Sequence, residues 1–163
     1  MALKAAFWVS GNAVRSQDSG LWLNEIHFGW GTHFKTALGP EDPANSGKNT
    51  LWFHIPITTP VIVDDVRPKL VKVFLCYRTI GNSKLKAIHL YDGSTKVTGF
   101  EGFSLQGDHP QSVIDNNNSW VINPSITIVT GLGISAQVWF GLTQNGVIPE
   151  FVFYTAGADF ITP

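Results

Sequence analysis

The amino-acid sequence predicts an all-β chain: an antiparallel β-sandwich of jelly-roll type, with an up-and-down or closed barrel as the alternative. Three observations predict it. About ten short runs rich in Val, Ile, Phe, Trp and Tyr follow one another, separated by breaks rich in Gly, Pro, Asn and Asp. No stretch carries apolar residues at a sustained helical period, so helix is confined to a turn or two. No internal repeat recurs at a fixed spacing. A length of 163 residues suits one sandwich domain over 1–163 with a single core.

Taken in order, Ala5 to Val14 is a first strand ending near Gly11-Asn12. Leu21 to Phe28 is a second, apolar on both faces and therefore expected between two covered surfaces. Gly29-Trp30-Gly31 breaks it, and His33 to Leu38 forms a short third strand. Gly39 to Asn49 mixes prolines, glycines and polar residues without periodicity and reads as an exposed loop. Leu51 to Ile57 resumes a strand, Pro60 to Val63 is brief and apolar, and Asp64-Asp65 turns the chain.

Lys69 to Tyr91 contains the clearest alternation and reads as a central hairpin closed at Gly81-Asn82-Ser83. A two-residue loop at Asn82-Ser83 pairs Leu75 with Leu90 and Tyr77 with Ile88, placing them with Val71 and Val73 on a core face. The same register sets Cys76 against His89 and Phe74 against Tyr91. With Arg78 these form a mixed second face, which we take as a pocket candidate. Beyond the hairpin, Lys96 to Phe100 and Gly102 to Leu105 follow the Asp92-Gly93 turn. A loop spans Gly107 to Asn118. The remaining strands are Trp120 to Ile122, Ser125 to Thr130, Ile134 to Phe140 and Phe151 to Thr155.

Composition narrows the function classes. Charged residues are 14% of the chain, well under the roughly 25% usual for soluble proteins, while apolar residues reach 44%. Such a surface favours homo-oligomerisation or a broad binding face. The net charge of −1 argues against a general nucleic-acid binder. The basic residues cluster from Arg67 to Lys96, which fits solvated strand edges that discourage aggregation; an anion-binding or acidic-partner face is the functional alternative. Cys76 is alone, so no internal disulfide forms. No apolar run approaches membrane-spanning length and the N-terminus lacks an ordinary signal peptide, so a soluble cytoplasmic protein with no membrane partner is expected.

The segments PVIVDDVRPKLVKVFLCYRT and GFSLQGDH, with the closing GLGISAQVWFG and FVFYTAGADF, resemble a group of short uncharacterised microbial proteins of unknown function. The resemblance spans roughly Pro60 to Phe160. It implies a compact β-rich domain and brings no catalytic motif.

Chemistry-bearing residues are few. The histidines His27, His33, His54, His89 and His109 lack metal-ligand spacing, and no metal or other cofactor is expected. Asp64, Asp65, Asp108, Asp115 and Asn116 fall in or beside loops but at no calcium-binding spacing, so they read as solvated turn residues. Cys76 beside His89 would form a thiolate–imidazole pair, although a lone cysteine in an apolar strand more often packs as a small hydrophobe. His89, Tyr91 and Arg78 are the candidates for moving a proton or polarising a carbonyl. Of the 6 tryptophans, Trp30 and Trp120 sit beside polar or glycine-rich breaks and are expected to be exposed. With Asp108, His109 and Cys76 they complete the ligand-binding candidates.

Three function classes follow. The leading expectation is a lectin-like protein that binds a carbohydrate or other small molecule, as a homo-oligomer. The second is a cofactor-free lyase, isomerase or cyclase working in an apolar pocket through His, Tyr and Arg. The third is a structural self-assembly subunit.

Overall fold

The computed structural model describes residues 3–18, 23–36 and 49–162. Trp22, the end of the expected third strand at Ala37-Leu38, and the expected loop from Gly39 to Lys48 lie outside the described residues. In chain order the strands are β1 (Leu3–Ser10), β2 (Arg15–Ser16), β3 (Leu23–Phe28), β4 (Gly31–Thr36), β5 (Thr50–Ile57), β6 (Lys69–Ile80), β7 (Lys84–Asp92), β8 (Thr95–Phe100), β9 (Asp108–His109), β10 (Ser119–Thr127), β11 (Leu132–Trp139) and β12 (Glu150–Ile161). No α-helix occurs among the described residues. The first expected strand stops at Ser10, whose hydroxyl accepts from the Asn12 amide and starts a single 3-10 turn, Gly11–Ala13.

The strands form two antiparallel sheets facing each other, not a closed barrel. The front sheet runs β10-β6-β12-β4-β3, with β1 also beside β12 and β9 beside β6; the back sheet runs β2-β5-β11-β7-β8. The pairs nest: β4 with β12, β5 with β11, β6 with β10, β7 with β8. This is jelly-roll order, a long hairpin rolled up so that successive strands along each arm alternate between sheets.

That topology overturns the central hairpin. β6 and β7 lie in different sheets, because β6 already has β12 on one edge and β10 with β9 on the other. The Gly81-Asn82-Ser83 link carries the chain across the sandwich instead of folding it back. Gly81 adopts a left-handed φ of 63°, and the buried Ser83 hydroxyl bonds to the Ile80 amide, the Ile80 carbonyl and the Glu150 carbonyl. Cys76 therefore faces Thr155, and His89 lies between Ser135 and Gly99.

The assignment of inward faces survives the wrong pairing. Val73, Leu75, Tyr77, Ile88 and Leu90 all enter one core, from opposing sheets instead of neighbouring strands. Val71 is the exception. The β6 ladder passes from Lys72 to Leu70 on both sides, so Val71 is a bulge residue and Leu70 takes the core position. Aromatic rings fill one region of the core, with Phe34 and Phe53 at 4.5 Å and Tyr77 stacked on Phe151 at 5.1 Å. β10 continues through Pro124, where a break is expected, but its ladder to β6 is interrupted between Val121 and Ile126.

Candidate functional site

The outer face of the front sheet carries an aromatic groove. β3 and β4 form a hairpin whose two-residue turn is Gly29-Trp30, with Phe28 opposite Gly31. This turn is tied to the chain's first turn: the Asn12 side-chain Nδ2 donates to the Phe28 carbonyl at 2.8 Å, and the Thr32 hydroxyl donates to the Asn12 side-chain oxygen at 2.9 Å. Trp30 is consequently held while remaining 52% exposed. Its ring stacks on Phe28 at 5.1 Å with planes 5° apart, and meets His33 edge-on at 5.2 Å.

Across the groove Trp8, from β1, is 42% exposed and stacks on Phe74 at 4.9 Å. Tyr154 lies between the tryptophans' strands, 5.8 Å from the Trp30 ring, and its hydroxyl donates to Asp108 at 3.0 Å. Ser10, Gln111 and Thr155 add polar groups to a cleft of about 760 Å³, a volume suited to a small ligand. Aromatic planes for contact and polar groups for orientation therefore converge in one place.

The charges nearby are arranged around His33 and Tyr154. Burial lowers the His33 pKa; Glu150, whose carboxylate lies 3.6 Å away, opposes this, while Arg78 and Lys35 reinforce it. Lys35 also pairs with Glu150 at 3.1 Å. Burial and the bond to Asp108 push the Tyr154 hydroxyl upward, with the Arg78 guanidinium pulling the other way. Tyr154 thus stays a neutral hydroxyl at ordinary pH, suited to hydrogen bonding.

The structure divides the residues singled out from the sequence. Trp30 lines the groove; Asp108 does not line it but accepts the hydrogen bond of Tyr154, which does; and exposed Arg78, opposite Asp108 in register, stands on the same outer face. His109 alternates to the other side, where its ring lies 4.9 Å from Tyr77 and its Nε2 bonds to the Gln106 carbonyl. Cys76 is fully buried, and burial pushes its thiol up to about 11. Trp120, expected to be exposed, is 6% exposed and packs against Phe100 and Phe103 between the sheets. Its neighbouring asparagines turn the chain, but β10 aims the indole inward opposite Val73.

His89 and Tyr91 lie on the outer face of the back sheet, so neither meets Arg78, Cys76 or the aromatic groove. The His89 ring lies 4.5 Å from that of Trp52, tilted by 39°, and reaches Glu101 at 2.7 Å, while Lys96 pairs with the same carboxylate at 3.2 Å. Lys96 and then His89 hold Glu101 below the usual carboxylate range. The catalytic set drawn from the hairpin is therefore dispersed over both sides of the molecule. Among the described residues, no group of His, Cys, Asp and Glu is placed to hold a metal ion, and no helix is long and apolar enough to cross a membrane.

Trp8, Tyr154 and Gln111 were not legible as site residues. Trp8 and Tyr154 sit in alternating strand runs where aromatics ordinarily fill a core. Only the pairing of β1 and β6 with β12 shows that both face outward.

A family model covers residues 37–139 and describes a family of unknown function, DUF6623. The chain belongs to this family. The span shared with the DUF6623 model contains Arg78, His89, Tyr91, Asp108 and Trp120, while Trp8, Trp30 and Tyr154 fall outside it. The aromatic walls of the groove thus come from chain flanking the DUF6623 match, and the back-sheet residues come from within it. A comparison with curated proteins finds no match.

Proposed function

We propose that this protein binds a carbohydrate, or a similarly hydroxylated small molecule, in the groove between Trp8 and Trp30. The observation that supports the reading is the placement of two exposed indoles around the Tyr154–Asp108 hydrogen bond. A sugar ring presents C–H groups on its faces and hydroxyls on its rim. The indoles offer apolar planes to the first, while Tyr154, Asp108 and Gln111 offer donors and acceptors to the second. Holding Trp30 against Phe28 and His33 before the ligand arrives reduces the ordering cost of binding.

A broad glycan array, followed by titration calorimetry on any hit, tests this reading. Trp30→Ala should abolish the signal, whereas Trp120→Phe, in the core, should preserve it. An array with no signal, or a signal indifferent to Trp30, removes the proposal. Self-association belongs to the same reading, because several copies would present several grooves and raise avidity. Light scattering that shows a monomer removes that part alone.

A further inference from the structure

A second depression lies on the outer face of the back sheet, over the central strand β11. Two adjacent rows of the ladder form it: Pro56–Gly133–Tyr91, and His54 beside Ser135. Gly133 and Ser135 are small, so the larger side chains of β5 and β7 stand above them as walls. Arg15 of β2, opposite His54 in register, closes one side. The space measures about 810 Å³, within the range of small-molecule sites.

Its chemistry is asymmetric. Arg15 is the only Lys, Arg, Asp or Glu among the described residues of the lining. One guanidinium nitrogen donates to the Asn12 and Val14 carbonyls at 3.3 and 3.0 Å, which orients the fork. No described carboxylate pairs with it, and its other nitrogens have no hydrogen-bond partner among the described residues. His54 bonds to the Ser135 hydroxyl at 2.8 Å and to the Gln17 side-chain oxygen at 3.3 Å, and burial lowers its pKa, so it contributes polarity without charge. Tyr91 lies opposite, with a hydroxyl that bonds to no described residue.

We propose that this depression binds a small organic carboxylate, its acid group on the Arg15 fork and its apolar body on Gly133 between Pro56 and Tyr91. A planar guanidinium matches a carboxylate in two parallel hydrogen bonds. One positive charge with no second cation among the described lining residues favours a monoanion over phosphate, which calls for more donors. The apolar floor accounts for the remainder of the ligand. This site is independent of the aromatic groove, which lies on the opposite face.

An NMR titration of the full chain with benzoate, its neutral isostere benzamide, and inorganic phosphate tests the inference. Benzoate should shift the Gly133, Ser135 and Tyr91 amides and bind more tightly than either comparison compound. Arg15→Gln should weaken benzoate about tenfold or more, the scale of one lost charge-assisted pair, and leave benzamide unchanged. Gly133→Val should block benzoate, because a Cβ there meets only the Tyr91 Cβ at 3.9 Å and the added methyls enter the depression. Trp30→Ala should leave the benzoate shifts intact, which separates this site from the carbohydrate reading. Equal affinity for benzoate and benzamide, phosphate binding as tight as benzoate, or absent shifts at these amides would each overturn it. If Gly133→Val fails to fold, Arg15→Gln and the benzamide comparison still decide.

Discussion

The indole of Trp8 lies flat on Gly157. The two residues are directly opposite in the β1–β12 ladder, and a Cβ added to Gly157 would fall 2.5 Å from Trp8 Cδ2. On its other edge Gly157 pairs with Phe74, the ring on which Trp8 stacks. The missing side chain therefore lets one aromatic lie across two strands and wall the groove.

Gly157→Ala should displace Trp8 without unfolding the sandwich, since alanine suits a strand no worse than glycine. The expected outcome is a several-fold loss of affinity for the glycan identified on the array, with a changed near-ultraviolet dichroism signal from the indole. Affinity unchanged in this variant would show that Trp8 is not part of the site.

Ser83 fixes the crossing between sheets. Its buried hydroxyl serves Ile80 of β6 and Glu150 of β12 together. Ser83→Ala leaves these backbone groups short of a partner and should cost about 1–3 kcal/mol. Urea unfolding should show a lower midpoint with an unchanged slope.

Asp92 gives stability a defined acid dependence. Burial works against its ionised form, but hydrogen bonds from the Thr130 hydroxyl and the Val129, Thr130 and Gly131 amides prevail and hold its carboxyl well below the ordinary value of 3.8. A depressed folded-state pKa contributes stability that is fully present above the unfolded value and is lost as pH falls below it toward the folded value. Thermal melts should therefore weaken from about pH 4 downward, and Asp92→Asn should be less stable near neutrality with a shallower loss in acid.

Cys76 should be chemically silent in the folded protein. It is fully buried and its thiol is pushed up to about 11, so little nucleophilic thiolate exists at neutral pH. Iodoacetamide followed by mass spectrometry should find Cys76 unmodified in buffer and alkylated in denaturant. Rapid labelling of the native protein would contradict its burial.

Trp30 was legible as a site residue because a turn flanked by glycines leaves a large ring few places to go but outward. Trp120 had a comparable local signature and the opposite fate. Its strand face is set by pairing with β6, which no residue near Trp120 encodes alone. The same limit applies to His89 and Cys76: local alternation shows that each lies on the opposite strand face from Leu75, Tyr77, Ile88 and Leu90, but not on which side of the sandwich that face is.

The sequence by itself determined the all-β class, most strand positions and, Val71 apart, the inward faces of β6 and β7, because alternation, turn residues and apolar burial are local properties of a chain with a period of two. It also determined that Val73, Leu75, Tyr77, Ile88 and Leu90 share a core. Only the tertiary structure decided that the Gly81-Asn82-Ser83 link crosses between sheets. A hairpin turn and a crossing use the same residue types, and the choice depends on which strands occupy the edges of β6. Those distant partners, β10 and β12, separate His89 and Tyr91 from Arg78 and bring Trp8, Trp30, Asp108 and Tyr154 together.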